Sequence, residues 1–216
     1  MKKTIGLISF FWVACSCANY GVSSGIGTLG LGFNGLMYLN DNLCLDVGIN
    51  RYNYKFDAKT WYETKLTPEF HLDSYHALLY YRIPFLDMKI CSGLFYNNSN
   101  VDISILPAGI GSYVVGQERF NVAAVGAISG NISFRKIAPY IGVGWGYENY
   151  SGFGIATDIG VVLQGNAKLT LNTSGSLTNP LSQQLEVARQ NLENDVNSHW
   201  FVTAWPVLSI KVYYNF

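Results

Sequence analysis

The segment LCLDVGIN, residues 43–50, alternates at every step between an aliphatic residue and a small or polar one. Successive side chains of a β-strand point to opposite faces, so one face of this segment is aliphatic and the other is not. Such a strand separates an apolar environment from a polar or tightly packed one. The segment therefore predicts a β-strand with one face toward an apolar environment.

The same period of two recurs in YIGVGWGY (140–147), IATDIGVVLQ (155–164) and LSIKVYYNF (208–216). In the first of these, glycines occupy the face opposite the bulky residues, which leaves space inside a narrow structure. Turn-forming residues separate the alternating segments at 40–42, 83–87, 148–152 and 165–166. This spacing predicts antiparallel strands that follow one another along the chain.

The composition favours lipid as the apolar environment. Of the 216 residues, 49% are hydrophobic and only 13% are charged, against about 25% charged in a typical soluble domain. After the first eighteen residues, no apolar run reaches the length of a membrane helix. A closed β-barrel is then the remaining way to satisfy every backbone polar group in lipid. We therefore predict an all-β fold, a closed antiparallel transmembrane β-barrel, rather than a soluble periplasmic sandwich.

Residues 1–18 have the features of a secretory signal peptide, and residues 19–216 would form the barrel. Lys2 and Lys3 are followed by an apolar stretch at 5–13 and by small residues at 16–18. An apolar stretch of roughly ten residues is too short to span the bilayer as a helix. Lipidation at Cys15 or Cys17 is the alternative processing route.

We count about eight strands, at residues 20–38, 43–57, 61–82, 88–97, 131–147, 153–164, 168–172 and 201–216. This count contains a conflict, because it places the short connections at 40–42 and 165–166 at opposite ends of the barrel. Short turns of such barrels usually share one end. Either the first segment forms two strands or the segment at 168–172 is only an extension.

The last long connection is predicted to contain one short amphipathic helix around residues 180–197. Asn179 can cap it and Pro180 suits its first position. Apolar residues then recur at helical spacing, at positions 181, 185, 188, 192 and 196. We expect this helix to cover one end of the barrel.

The chain resembles the OmpA/OmpX-like superfamily of outer-membrane β-barrels, and more narrowly a group of mostly uncharacterised proteobacterial barrels. The resemblance rests on VYYNF at the carboxy-terminus, APYIGVGWG (138–146), DIGVVLQG (158–165) and PVLSI (206–210). It covers nearly the whole of residues 19–216. The resemblance implies that the barrel-assembly machinery reads a final strand that closes on phenylalanine, with Tyr214 and Phe216 as the signal. It implies no particular activity.

Strand parity places four charged residues inside the barrel, namely Asp46, Lys89, Asp158 and Lys211. The interior of an eight-stranded barrel is just wide enough to be filled by side chains, and buried charges must be paired. We therefore expect salt bridges that plug the barrel, with an ion pathway as the alternative. Cys44 and Cys91 lie on different predicted hairpins, which disfavours a disulfide between them, but the sequence leaves that bond open.

An outer-membrane lipid-modifying enzyme is a further alternative, and it requires a histidine near a serine and an acid. The segment HLDSYH (71–76) contains these residue types. On one strand, however, Ser74 and His76 share a face while Asp73 lies on the other, so an acid would have to come from elsewhere. Scattered histidines and cysteines offer no metal spacing, and no cofactor is indicated.

The sequence thus favours a non-enzymatic protein of the cell outer membrane with a structural or surface-interaction role. Its long connections, chiefly residues 98–130, would meet a host or surface ligand. The expected partners are outer-membrane lipid, lipopolysaccharide and the barrel-assembly machinery. Nucleic acid is an improbable partner because the net charge is zero, with 14 basic and 14 acidic residues. A small-solute channel is the other alternative.

Overall fold

The structure is a computed structural model that describes residues 19–55, 59–61, 64–107, 111–115, 118–121, 125–146, 151–175 and 179–216. The predicted signal peptide, residues 1–18, lies outside the described residues.

The described residues form fourteen strands and two helices. The strands are β1 (Asn19–Gly27), β2 (Gly30–Asn40), β3 (Leu43–Lys55), β4 (Lys59–Trp61), β5 (Thr64–Arg82), β6 (Lys89–Asn97), β7 (Asn100–Pro107), β8 (Ser112–Val115), β9 (Glu118–Asn121), β10 (Ile128–Ser133), β11 (Ile137–Trp145), β12 (Gly152–Leu163), β13 (Lys168–Thr173) and β14 (Ala204–Asn215). The helices are α1 (Asn179–Ser198) and α2 (Trp200–Thr203).

Eight of the strands form a ring in which each strand pairs antiparallel with two neighbours. The order around the ring is β1, β2, β3, β5, β6, β11, β12 and β14, and β14 pairs again with β1. The prediction of an all-β antiparallel fold with about eight strands is therefore confirmed at this level. The ring strands contain 9 to 19 residues, and a barrel strand needs roughly 9–11 residues to cross a bilayer.

The ring has two unlike ends. At the end that we call the short-turn end, residues 41–42, 83–88 and 146–151 connect neighbouring strands, and both β1 and β14 have their outer termini there. At the opposite, long-connection end, the segments between β3 and β5, between β6 and β11, and between β12 and β14 hold all the remaining elements.

Two errors in the predicted strand list cancel in the count. Residues 20–38 form two strands, β1 and β2, joined at Thr28 and Leu29. Gly30, with a φ of +100°, makes the return possible, since a Cβ there would lie 2.5 Å from that of Tyr52. The segment at 168–172 is β13, which lies outside the ring. With both corrections, the 40–42 turn lies at the same end of the ring as the turns at 83–88 and 146–151, and the conflict in the predicted count is resolved.

Two further predicted bounds are corrected. Residues 131–147 contain two strands, because the chain leaves β10 after Ser133 and enters the ring only with β11. Residues 201–203 belong to α2, so the last strand begins at Ala204.

The outward face of the ring is aliphatic and exposed, following the predicted parity. On β3, Val47 is 52% exposed while Asp46 is fully buried. All eight strands contribute exposed apolar residues, which include Val22, Ile26, Leu31, Phe33, Val47, Ile49, Leu79, Ile90, Leu94, Ile141, Ile155, Ile159, Leu208, Ile210 and Val212. Water would be a poor solvent for an apolar surface of this extent.

A second folded unit, which we call the loop lobe, stands at the long-connection end. It consists of β7, β10, β13, the hairpin β8–β9 and α1. β7 pairs with the first half of β5, β10 with β7, and β13 with β10, so the lobe continues the sheet of the ring. Its own core contains Ile105, Val115, Phe120, Val125, Ile128, Leu185 and Ala188. The long connection at 98–130 is thus largely folded, and it contains the two-stranded hairpin that pairs Val115 with Glu118.

The helix in the last connection is confirmed as α1, and its role is visible in its contacts with β13. β13 is the edge strand of the loop lobe. Glu193 Oε2 accepts a hydrogen bond from the Leu169 amide at 2.9 Å, and Arg189 Nη1 donates to the Leu169 carbonyl at 3.0 Å. Asn197 bonds both backbone groups of Ala167, at 2.8 and 3.0 Å. The helix therefore satisfies an edge that could otherwise pair with another chain. Among the described residues, neither helix is long and apolar enough to cross a membrane.

Candidate functional site: a polar network inside the ring

The four charged residues that the sequence placed in the interior come from four different strands. Asp46 is on β3, Lys89 on β6, Asp158 on β12 and Lys211 on β14, and their exposures lie between 0% and 8%. Among the described residues these are the only buried carboxylates and amines. Two negative and two positive charges cancel, which limits the cost of removing them from water.

Lys211 connects the two carboxylates. Its Nζ lies 3.1 Å from Asp46 Oδ2 and 3.1 Å from Asp158 Oδ2. Ser209, on the same strand as the lysine, donates its hydroxyl to Asp158 Oδ2 at 3.1 Å. The structure thus brings three of the four residues into one cluster that ties β3, β12 and β14 together across the ring. Lys89 is buried nearer the short-turn end, where it begins β6.

His76 extends this cluster, and the sequence reasoning did not place it there. Its Nε2 lies 3.2 Å from Asp46 Oδ1, and its Nδ1 lies 3.1 Å from Asn50 Nδ2. Because the amide nitrogen of Asn50 donates, Nδ1 accepts and Nε2 carries the hydrogen that points to Asp46. Strand parity puts His76 on the same face as Tyr80, and the structure shows that this face is inward, because Tyr80 is fully buried.

This arrangement does supply the acid that Ser74 and His76 lacked, but it does not form a nucleophilic triad. Ser74 Oγ accepts a weak hydrogen bond of 3.4 Å from Asn50 Nδ2, the same atom that faces His76. Asn50 thus separates the hydroxyl from the histidine that would have to activate it. The His76 side chain is also only 2% exposed. The geometry therefore favours a packing role for His76 over general-base catalysis.

The other two histidines lie elsewhere. His71 is on the outer part of β5, where its Nε2 lies 3.4 Å from Asp102 Oδ2. His199 lies between α1 and α2, where its Nδ1 is 3.0 Å from the carbonyl oxygen of Asp195. Within the described ranges, no three His, Cys, Asp or Glu side chains are grouped so that they could hold a metal ion.

Aromatic rings fill the rest of the interior, and glycines make room for them. Gly142 and Gly160 face each other on β11 and β12. A Cβ on either would lie 2.4–2.5 Å from the Tyr140 hydroxyl, so the tyrosine occupies the space that the missing side chains leave. The remaining cavity beside Lys211, Asp158 and His76 measures about 30 Å³. That is room for about two water molecules.

The solved structures that match this fold over nearly the whole chain include two from Acinetobacter baumannii. CarO from Acinetobacter baumannii has a TM-score of 0.59 at 20% identity over 91% of this chain and 97% of its own. CarO2 from the same organism has a TM-score of 0.60 at 20% identity, over 92% and 98%. The chain has the fold of an outer-membrane β-barrel. No known family model and no curated protein matches the sequence.

At 20% identity the likeness concerns the barrel fold and not an activity. A major outer membrane protein from Thermus thermophilus also matches, with a TM-score of 0.45 and 14% identity, over 93% of this chain and all of its own. That score is too low to support an argument. The fold that the chain shares with the two CarO structures is consistent with an outer-membrane location. Membership of the OmpA/OmpX-like superfamily stays a prediction.

The barrel geometry settles the open question about the cysteines. Both are free thiols in the structure. Cys44 on β3 and Cys91 on β6 both pair with Tyr80, from its two opposite sides. Two strand spacings separate them, which is about 9–10 Å, whereas a disulfide needs Cα atoms within about 7 Å.

Of the two residues predicted to carry the assembly signal, Tyr214 lies near the end of β14 and Phe216 directly follows the strand, at the short-turn end of the barrel. Phe216 is 68% exposed, and its amide donates to the Tyr20 carbonyl at 2.9 Å. The rings of Tyr214 and Phe216 lie 5.4 Å apart, edge to face. The final strand thus presents an aromatic pair on the outward side of the barrel.

Exposed aromatic residues mark both ends of the aliphatic surface. Tyr20, Tyr81, Trp145, Phe153 and Phe216 lie toward the short-turn end, and Tyr52, Tyr54, Tyr75 and Tyr96 toward the other. Two further tyrosines near strand ends, Tyr38 and Tyr80, are buried inside the barrel.

Proposed function

We propose that residues 19–216 form an integral outer-membrane protein, a closed eight-stranded barrel whose role is structural or surface-interacting and not enzymatic. The short-turn end would face the periplasm and the loop lobe would face the outside, since barrels of this class have short periplasmic turns and longer external loops. One observation carries the proposal. Aliphatic side chains cover the outer face of the ring while its buried charges lie within.

The two aromatic belts support this orientation in a membrane. Tyrosine and tryptophan favour the interface between hydrocarbon and water. Trp145 and Phe153 would lie at the periplasmic interface, and Tyr75 and Tyr96 at the outer one, where their rings are 6.4 Å apart. Outer-membrane lipid and lipopolysaccharide are the partners that such a surface would contact.

A plugged barrel is better supported than a small-solute channel. Lys211 and its two carboxylates cross the lumen, and the cavity beside them has a volume of only about 30 Å³. Hydrated ions need a continuous aqueous path, which larger barrels provide. We expect planar bilayers containing the protein to show no steady single-channel current, and a stable current from the unmodified protein would favour the channel.

The surface-interaction role rests on a polar groove of about 500 Å³ where the barrel meets the loop lobe. Arg51, Asp73 and Lys136 line it together with several asparagines and serines. Lys136 Nζ donates to Asn98 Oδ1 at 2.6 Å, and Asn131 Nδ2 donates to Asp102 Oδ1 at 2.7 Å. Such a concave surface, rich in amides and hydroxyls, suits a polar ligand on a host or neighbouring surface.

Point substitutions test this role better than deletion of residues 98–130, because that connection is folded into the sheet. Lys136→Ala and Arg51→Ala should weaken any adhesion or serum-resistance phenotype while the folded barrel remains in the membrane. Lys55→Ala, which alters an exposed ion pair elsewhere on β3, serves as the control. If the two groove variants behave like the control, the groove is not the interaction site.

The membrane proposal itself is tested by fractionation and gel mobility. The protein should sediment with outer membranes, resist extraction without detergent, and migrate differently in a detergent gel before and after boiling. A chain that is extracted in plain buffer and shows one mobility would contradict it. For the enzyme alternative, lipid A mass spectrometry of cells expressing His76→Ala should match that of cells expressing the unmodified protein.

A further inference from the structure

A second, larger cavity lies between the barrel and the loop lobe. Its volume is about 270 Å³, and we call it the mouth cavity. Its walls come from Phe70 and Leu72 on β5, Val101 on β7, Ile132 on β10 and Val162 on β12. Trp205 and Phe201 close it on the side of β14 and α2. It shares Leu29 and Phe95 with the plugged interior and Ser99, Asn100 and Phe134 with the polar groove, and the rest of its lining belongs to neither.

The described residues that line the mouth cavity carry no charge, and the side-chain amides of Asn97 and Gln164 are already bonded, while the indole N–H of Trp205 is buried without a hydrogen-bond partner. Asn97 Nδ2 donates to Gln164 Oε1 at 3.1 Å, and Gln164 Nε2 donates to the Val202 carbonyl at 2.8 Å. The Ser99 amide donates to Asn97 Oδ1 at 2.9 Å. With these groups occupied, the cavity favours a hydrocarbon over a sugar, a phosphate or an amino acid.

The size of the cavity limits the ligand. An apolar cavity of about 150 Å³ stays dry and takes up benzene, a molecule of six carbons. By the same ratio, the mouth cavity has room for roughly ten carbons. Phe201 is 45% exposed while it also lines the cavity, so one wall borders solvent. A chain could enter there and leave a charged headgroup outside.

We propose that the mouth cavity binds one alkyl chain of about ten carbons, carried by a free fatty acid or by a membrane lipid. Burial of one methylene group is worth about 0.8 kcal/mol, which is nearly fourfold in affinity. Affinity should therefore rise about fourfold for each added carbon up to roughly ten and then level off, because further carbons lie outside the cavity.

Quenching of Trp205 fluorescence by chain-brominated probes tests this directly. The protein is prepared in vesicles with phenylalanine at positions 12, 61, 145 and 200, so that Trp205 alone reports. One arm adds brominated fatty acids of six to fourteen carbons, and the other uses brominated phosphatidylcholine as the vesicle lipid. Val101→Phe should abolish quenching by filling the cavity. Val212→Phe, the same change on the outward face of β14, should leave it intact.

Each outcome decides the matter. Quenching in the fatty-acid arm, sensitive to Val101→Phe, identifies a free acid, and the same pattern in the phospholipid arm identifies a lipid chain. No quenching in either arm overturns the proposal, as does quenching that Val101→Phe leaves unchanged. Ile132→Phe, on a different strand of the same wall, replaces Val101→Phe if that variant lacks the mobility of the folded barrel.

Discussion

Replacement of Lys211 by methionine tests whether the ionic cluster holds the barrel together. Methionine keeps much of the volume of the lysine chain but removes the amine that lies 3.1 Å from each of two carboxylates. Asp46 and Asp158 would then be buried without their shared cation. Loss of one partner from a buried ion pair typically destabilises a protein by about 3–5 kcal/mol.

The loss of stability in Lys211→Met can also be calculated from the cost of protonating an aspartate. The least costly response is protonation of one aspartate, and at pH 7 this costs about 4 kcal/mol for a carboxyl of ordinary acidity. The two values agree, so we expect Lys211→Met to lower the free energy of unfolding by about 3–5 kcal/mol. Adding Asp158→Asn should restore about 1–3 kcal/mol, because it removes one of the uncompensated charges.

Urea unfolding in lipid vesicles, followed by the gel mobility of the folded barrel, measures these changes. Lys55→Met is the matched control, since Lys55 pairs with Glu69 at 3.3 Å but is 65% exposed. Its cost should stay below about 1 kcal/mol. The reasoning is refuted if Lys211→Met unfolds at the same urea concentration as the unmodified protein, and a raised single-channel current in that variant would favour a pore instead.

Four further predictions concern other parts of the fold. Glu193→Ala should speed hydrogen exchange at the Leu169 amide, which it caps at 2.9 Å, and leave exchange in β1 and β14 unchanged. Gly160→Val should cost about 1–3 kcal/mol by overpacking, and Tyr140→Phe should recover part of this loss, because the hydroxyl would lie 2.4 Å from the new Cβ; no recovery would count against the contact. Cys44 and Cys91 should react with an alkylating agent only after unfolding, and a reductant should not change the mobility of the folded protein. Hydrogen bonds from Arg189 and Gln190 lower the pKa of Glu186 from 4.5 to about 2. The small contribution of Glu186 to stability is therefore complete above pH 4.5 and is lost as the pH falls toward 2. The circular dichroism signal should show this pH dependence in the unmodified protein and lose it in the Glu186→Gln variant.

The ring strands could be predicted because their signal is local. Each of residues 43–50 falls on the face that its parity assigns, and the exposed and buried positions of β12 and β14 follow the same rule. Side chains that face an apolar solvent must alternate with side chains that face the interior, so neighbouring residues in the sequence show this alternation directly. The amphipathic pattern of α1 is equally local.

The loop lobe could not be predicted, because it depends on pairings between distant segments. β10 pairs with β7 and β13, which lie in different connections of the chain. Residues 168–172 have the composition of a ring strand, and only their partner reveals that they are not one. Residue type alone is also a poor guide for tyrosine, since Tyr38 and Tyr80 lie near strand ends, as belt residues do, but face the interior.

The cluster around Lys211 could likewise be predicted only in part. Parity alone placed Asp46 and Lys211 inward, but the contact between residues 165 positions apart follows from the ring order. Strand parity puts His76 and Ser74 on one face, but only the ring order shows that this face is inward and that His76 contacts Asp46.

The central claim is that lipid contacts the outward face of the ring, and a cysteine scan of β14 measures this directly. With Cys15, Cys17, Cys44 and Cys91 replaced by alanine, single cysteines at positions 207 to 213 would carry a fluorophore in vesicles that contain a nitroxide-labelled lipid. Quenching should be strong at 208, 210 and 212 and weak at 207, 209, 211 and 213, in line with their alternating exposure. Uniform quenching, or a folded monomer that remains in buffer without lipid or detergent, would contradict the account.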